Sequence, residues 1–219
     1  MNEQEVRHAI TTLPRTSFLS FTVAVNASKE AVLGVKVPSL RAFAHQIAGD
    51  TDPSSWPIGE SFELDLIHEE IVLVHEKNER KRYQFAALFL AKTDGWALVD
   101  NLASQFKIKD LDLAYSMSQR FAHSPHLWVR RFAYSHLITS AKNLSAEHLM
   151  SLVVLNEAVD VQKAEAWLLA EGLIYHDEAL RNFLSHCPDR ALVNRTIQKA
   201  VESFRISDAQ KALLRKLKR

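Results

Sequence analysis

The chain has 219 residues, 47% of them hydrophobic, with five glycines, six prolines, a single cysteine and a formal net charge of +1. That length and apolar share suit one sizeable core, scarce glycine and proline favour helices over hairpins, and one cysteine excludes an internal disulfide, as fits a reducing compartment. No window approaches the roughly 18 to 20 uninterrupted apolar residues of a membrane span, and the polar start Met-Asn-Glu-Gln-Glu-Val-Arg lacks the basic-then-apolar order of a signal peptide, so a cytoplasmic protein with no membrane partner is expected.

In chain order, Glu3 to Leu13 predicts an amphipathic helix with Val6, Ile10 and Leu13 on one side, stopped by Pro14. Ser17 to Val25 is apolar and fits either helix or strand. Gly34-Val-Lys-Val-Pro38-Ser-Leu-Arg41 leads into a helix with Pro38 at its first position and Leu40, Phe43 and Ile47 facing inward. Gly49 to Gly59, holding Asp52-Pro53-Ser-Ser-Trp56-Pro57, is the one loop-rich stretch and reads as a mobile or inserted connection. Helices then follow over Leu64–His75, Arg82–Leu90, a segment capped by Asp94 that holds Trp96 and Asp100, and Leu111–Ala122. Ser124-Pro125 opens the helix of Trp128 and Arg131, Ser145 the next, and Asp160 the one that carries Lys163 and Trp167 and stops near Gly172. Asp177–Ser185, Ala191–Phe204 and Ser207–Lys218 complete the set.

Three patches within these helices combine a tryptophan with a charge: Trp96-Ala-Leu-Val-Asp100, Trp128-Val-Arg-Arg131 and Lys163-Ala-Glu-Ala-Trp167. Residues three or four apart share a helix face, so Trp96 stands beside Asp100, Trp128 beside Arg131 and Lys163 beside Trp167. If the three helices line one groove, the set suits a phosphate backbone and a positively charged sugar transition state. The tryptophans follow one another at 32 and 39 residues, near the roughly 40-residue length of two-helix repeats, whose stacking brings equivalent positions to one concave surface. The expected fold is therefore an all-α, α-α superhelix of HEAT-like repeats in a single domain over residues 1–219. Charge is uneven: residues 1–110 carry twelve Lys and Arg against fifteen Asp and Glu, and residues 111–219 fifteen against eleven, which makes the second half the anion-binding half.

These residues, in this order and spacing, resemble the AlkD-type DNA alkylation repair glycosylases, which are built from HEAT-like repeats. The resemblance runs from Gly34-Val-Lys-Val-Pro38-Ser-Leu-Arg41 to Lys163-Ala-Glu-Ala-Trp167. It implies that Trp96 and Trp167 contact the deoxyribose and backbone of a lesion, that Asp100 is the catalytic carboxylate and that Arg131 holds a DNA phosphate. Lys163 and Arg130 are the neighbouring cations of that DNA-binding set, Arg130 turned more toward solvent. It further implies a monomer acting on duplex DNA that contains alkylated bases, with release of 3-methyladenine- or 7-methylguanine-type purines and no metal or nucleotide cofactor. The chain departs from the family pattern in three places. Leu168-Leu169-Ala170-Glu171 follows Trp167 where an arginine is common, Ala97 stands where an aspartate is common, and Val23-Ala-Val-Asn-Ala27 has no counterpart to an early aromatic.

Other readings compete at each position. Tryptophans at helical spacing also serve as core or repeat-interface residues, Trp128 above all; Asp100 also suits a solvated helix position, and Arg131 a local ion pair. His68-Glu69-Glu70 and His75-Glu76 lack the His-Glu-x-x-His spacing of a zinc site, and His123 and His126 suit capping. Cys187, before Pro188, reads as a packed thiol, and Glu76 to Arg82 as a solvated turn. The terminal Lys211–Arg219 segment is a basic amphipathic helix, suited to phosphates or to a frayed end. Two further functions fit the same architecture: a module that recognises DNA structure without chemistry, and a protein–protein scaffold.

Overall fold

The computed structural model describes residues 1–17, 19–20, 23, 31–155 and 158–218. Its helices are α1 Glu3–Ile10, α2 Val37–Ile47, α3 Phe62–His75, α4 Glu79–Leu90, α5 Trp96–Gln105, α6 Leu111–Ala122, α7 Leu127–Ser135, α8 Ala146–Ser151, α9 Val159–Gly172, α10 Asp177–His186, α11 Arg190–Glu202 and α12 Asp208–Arg215. Short polar side chains set many of these starts. Asn2, Asn78, Asp110, Ser145, Asp189 and Ser207 each accept an N–H from the first turn of the helix they open, which satisfies a donor that the helix itself leaves unpaired. Among the described residues there is no β-strand, only isolated bridges between Arg15 and Val35 and between Ala31 and Ser61.

The chain, read from its sequence as one domain, divides into two compact units, Met1–Lys109 and Asp110–Arg219. In the first unit α3 packs against both α2 and α5. Val6, Leu40, Ile47, Leu66, Ile67, Ile71 and Leu98 form its core. In the second unit α7, α9 and α11 pack in succession, while α8 and α10 pack on each other and on α9. Alternate helices are thus neighbours, which is the layering of stacked helix pairs. The all-α helical-repeat class expected from the sequence is the one observed.

Several local readings change. The 49–59 stretch is pinned into the first unit by Trp56, which is 5% exposed and sits edge-on to His68 with ring centroids 6.1 Å apart. The cap of α5 is Gly95, at φ +99°, in place of Asp94; that left-handed turn admits glycine readily and aims the chain so that Trp96 is the first helical residue. Helix α7 starts at Leu127 behind His126, with Ser124 and Pro125 outside it, and Ala158 precedes α9, leaving Asp160 in its first turn. The 17–25 stretch and the 23–27 segment lie mostly outside the described residues.

Helix α3 holds an unusual load of buried polar side chains, each with an identifiable setting. Glu63 accepts three consecutive backbone N–H groups, from Leu33 at 2.9 Å, Gly34 at 2.7 Å and Val35 at 3.2 Å, so the Gly34–Pro38 motif is anchored by a carboxylate that sequence reasoning did not connect to it. Asp65 accepts the Gly59 N–H at 2.8 Å. His68 is enclosed by Trp56, Phe85 and Phe89, and burial lowers its pKa to about 4. The His68-Glu69-Glu70 run is therefore an internal structural feature of the first unit.

Candidate functional site

The first group of sequence-predicted residues sits at the start of α5. Leu98, Val99 and Leu102 are buried beneath it, while Trp96 and Asp100 are half-buried, one turn apart. Next to Asp100 the chain turns inward. Asn101 is buried, and its amide donates to Glu69 and, at 3.0 Å, to Glu70. Arg41 of α2 closes the network through its Nε, 2.9 Å from the Asn101 carbonyl oxygen and 3.2 Å from Glu70, and His45 lies 3.5 Å from the same carboxylate. Glu69 is fully buried, and desolvation holds its pKa well above the ordinary carboxylate range despite the Asn101 hydrogen bond. Polar bonds to α2 and α3 thus fix α5 at Asn101, the residue next to Asp100.

The second group lies in the other unit, on α7 and α9. Arg131 is 6% exposed, and its Nη1 donates to the Asp160 carbonyl at 2.6 Å. It therefore ties α7 to the first turn of α9, an arrangement in which part of its donor capacity is spent within the protein. Arg130 is half-buried and folds back on the preceding loop, donating to the Ser124 carbonyl at 2.8 Å and the Pro125 carbonyl at 3.2 Å. Trp128 is half-buried. On α9, Ala164 and Leu168 face the core, whereas Lys163 and Trp167 face out, the Lys163 side chain 60% and Trp167 38% exposed. Lys163 pairs with Asp160 at 3.2 Å, so Arg131 and Lys163 meet the same residue from two sides.

A residue that sequence reasoning missed completes this face. Lys199 of α11 places its Nζ 4.8 Å from the centroid of the Trp167 ring, a cation–π contact of about 0.5–1 kcal/mol at an exposed site. The signal was present in the repeat, since Lys199 follows Trp167 by the same 32 residues that separate Trp96 from Trp128. A cation beside Trp167 thus comes from α11. Trp167, Ala170, Glu171, Lys199, Glu202 and Ser203 line a cavity of about 220 Å³. A larger cleft of about 600 Å³, between the 48–53 turn and α3, contains none of the predicted residues. Among the described residues no three His, Cys, Asp or Glu side chains gather as metal ligands.

Each unit thus presents aromatic and charged side chains on helices of the alternate layer. The sequence matches the family model described as DNA alkylation repair enzyme over residues 18–204, a span that encloses every residue of both groups. The chain belongs to the DNA alkylation repair enzyme family. A comparison with curated proteins and one with solved structures each return no match.

Proposed function

We propose that the chain is a DNA N-glycosylase that hydrolyses the bond between deoxyribose and a cationic, ring-alkylated purine. The observation that carries the proposal is the Trp96–Asp100 pair, set one turn apart on a helix pinned from below by Asn101, Glu69, Glu70 and Arg41, within the span matched by the repair family. A purine alkylated at N3 or N7 already carries positive charge, so its bond from C1′ to N9 breaks with the electron pair leaving on the base, and no general acid is required. Positive charge then grows on the sugar. Asp100 stabilises that charge and orients a water that attacks C1′ and releases its proton to solvent, leaving the neutral free base and an abasic site. Trp96 lies beside the sugar on the Asp100 face and adds about 0.5–2 kcal/mol of cation–π attraction, and Trp167 contacts the DNA backbone on the face it shares with Lys163 and Lys199.

In this reading the DNA backbone meets Lys163 and Lys199, and Arg131 acts from beneath them by holding the first turn of α9, with Arg130 shaping the entry to α7. The substrate is duplex DNA, and neither a metal nor a nucleotide cofactor takes part. The test is release of methylated purines from alkylated duplex DNA by the wild type and by Asp100→Asn. The expected result is time-dependent release by the wild type and a loss on the order of a hundredfold in the variant, with DNA affinity retained. Equal release by both proteins would remove Asp100 from the chemistry.

The cover that Lys199 provides over Trp167 favours a second reading, a family member that recognises bent or damaged DNA without excising bases. It predicts salt-sensitive DNA binding with no base release by either protein.

A further inference from the structure

Helix α11 ends at Glu202, and the chain then makes a tight, well-anchored turn. The Ser203 N–H bonds to the Ala200 carbonyl at 3.1 Å, the Arg205 N–H to the Ser203 hydroxyl at 3.2 Å, and Ile206 returns to the core at 3% exposure. Arg205 is clamped by Glu171 and by the Tyr175 hydroxyl, its guanidinium carbon 5.5 Å from the Tyr175 ring centroid. Between these fixed neighbours stands Phe204, whose relative exposure is 103%. Single exposed apolar residues are common, but here the residues on both sides are held in place while the ring itself is presented outward.

The surroundings identify what the ring meets. Ser203 lines the same cavity as Trp167 and Lys199, so Phe204 continues the face already described on α9 and α11. Residues 190–219 carry nine Lys and Arg against two Asp and Glu, in a chain whose net charge is only +1. An apolar ring fixed at the edge of a strongly basic segment is the combination by which proteins stack on or wedge between bases while cations hold the flanking phosphates. We propose that Phe204 is a DNA-contacting aromatic that stacks against a base step flanking the site served by Trp167, with Lys199 on the adjacent phosphate. This rests on the DNA reading above and extends the interface beyond the residues it names.

The experiment uses the full chain and a short fluorescein-labelled duplex, with 2-aminopurine in a second duplex as a reporter of stacking. Because Phe204 is fully exposed, Phe204→Ala is expected to fold as the wild type does, which circular dichroism verifies. The expected result is about a tenfold weaker Kd for Phe204→Ala at unchanged salt slope, near-wild-type affinity for Phe204→Trp, and a 2-aminopurine change on binding that the alanine variant lacks. Lys199→Met is expected instead to reduce the salt slope by about one. Equal affinity and equal 2-aminopurine response for the wild type and Phe204→Ala would overturn the proposal. So would unchanged DNA binding accompanied by loss of co-sedimentation with anionic phosphatidylglycerol vesicles, which would assign the ring to a lipid surface. If the wild type releases methylated purines and Phe204→Ala binds and acts equally well, only the Phe204 role fails; if the wild type binds no DNA, both readings fail together.

Discussion

A carboxyl group deep in an apolar core keeps its proton unless cations or several donors compensate the lost water. Asp65 has one such donor, the Gly59 N–H at 2.8 Å, while its Oδ1 meets no hydrogen-bond partner among the described residues. Desolvation is the largest influence on it and, with the nearby charge of Glu60, pushes its pKa to about 7 against the opposing effects of Gly59 and Arg7. In the unfolded chain the group titrates near 3.8. Between those values the folded state binds more protons than the unfolded state, so the contribution is fully present below pH 3.8 and is lost as pH rises through 7. Asp65→Asn preserves the shape and the acceptor for Gly59 and removes the ionisation. In urea titrations its stability gain over the wild type should be larger at pH 8 than at pH 5, by about 1–3 kcal/mol. An equal gain at both pH values would show that Asp65 is not protonated in the fold. At the same scale, spacings of 32 and 39 residues drew attention to Trp96, Trp128 and Trp167 in the sequence. Lys199, 32 residues after Trp167, was overlooked because a lysine in a helix reads as a solvated residue.

Periodicity resolves the helices better than their ends. Leu111–Ala122 was legible to the residue, and Asp110 caps it, whereas Asp94 and Asp160 look like good caps in the sequence and are not. Which residue takes the cap depends on where the incoming chain turns, and that is decided at Gly95 and Ala158 by packing with distant residues. The C-terminal end of α11 mattered more. A helix read through Phe204 would place that ring on a helix face, but α11 stops at Glu202, and the two-residue difference leaves the ring in a turn pointing out. The acidic residues of α3 were legible only as a polar or metal-like run, since their partners, the 33–35 backbone and Asn101, lie about 30 residues away on either side. The join between the 49–59 loop and the end of α4 offers a test. At Gly59, with φ +88°, an added Cβ would stand 2.5 Å from the Lys92 carbonyl oxygen, a backbone atom that no rotamer change can move. Gly59→Ala therefore combines a left-handed strain of about 1–2 kcal/mol with a steric clash. A loss of about 2–4 kcal/mol in denaturant unfolding is expected. A loss below about 1 kcal/mol would mean that the loop yields and is not held against α4.

The two compact units differ in how burial loads their titratable groups. In the second unit His136 is fully buried, its Nδ1 2.7 Å from the Phe132 carbonyl and its ring stacked on Phe132 at 4.6 Å. Burial lowers its pKa to about 4. The unfolded imidazole titrates near 6.5, so the unfolded state binds more protons across this window. The His136 contribution is present above pH 6.5 and is lost as pH falls through about 4. His68 gives the first unit the same acid sensitivity, with a pKa of about 4. There, however, Asp65 and Glu69 are raised by burial and act in the opposite direction, stabilising the unit relative to its unfolded state as the pH drops. The first unit is consequently buffered against acid by its own protonated carboxyls, and the second carries the His136 dependence with Glu147, lowered by a backbone hydrogen bond, adding in the same direction at lower pH. Hydrogen exchange measured from pH 7 down to 4.5, corrected for intrinsic rates, should show protection falling first in α7, which His136 caps, and in α9, which packs on α7, while α3 and α5 keep theirs. Because the proposed catalytic carboxylate stands on α5 and the proposed backbone contacts on α9 and α11, mild acid is then expected to weaken DNA binding before it disturbs the Asp100 helix. Simultaneous loss of protection in all four helices would show instead that the units unfold as one cooperative body and that the balance of buried groups is shared across the chain.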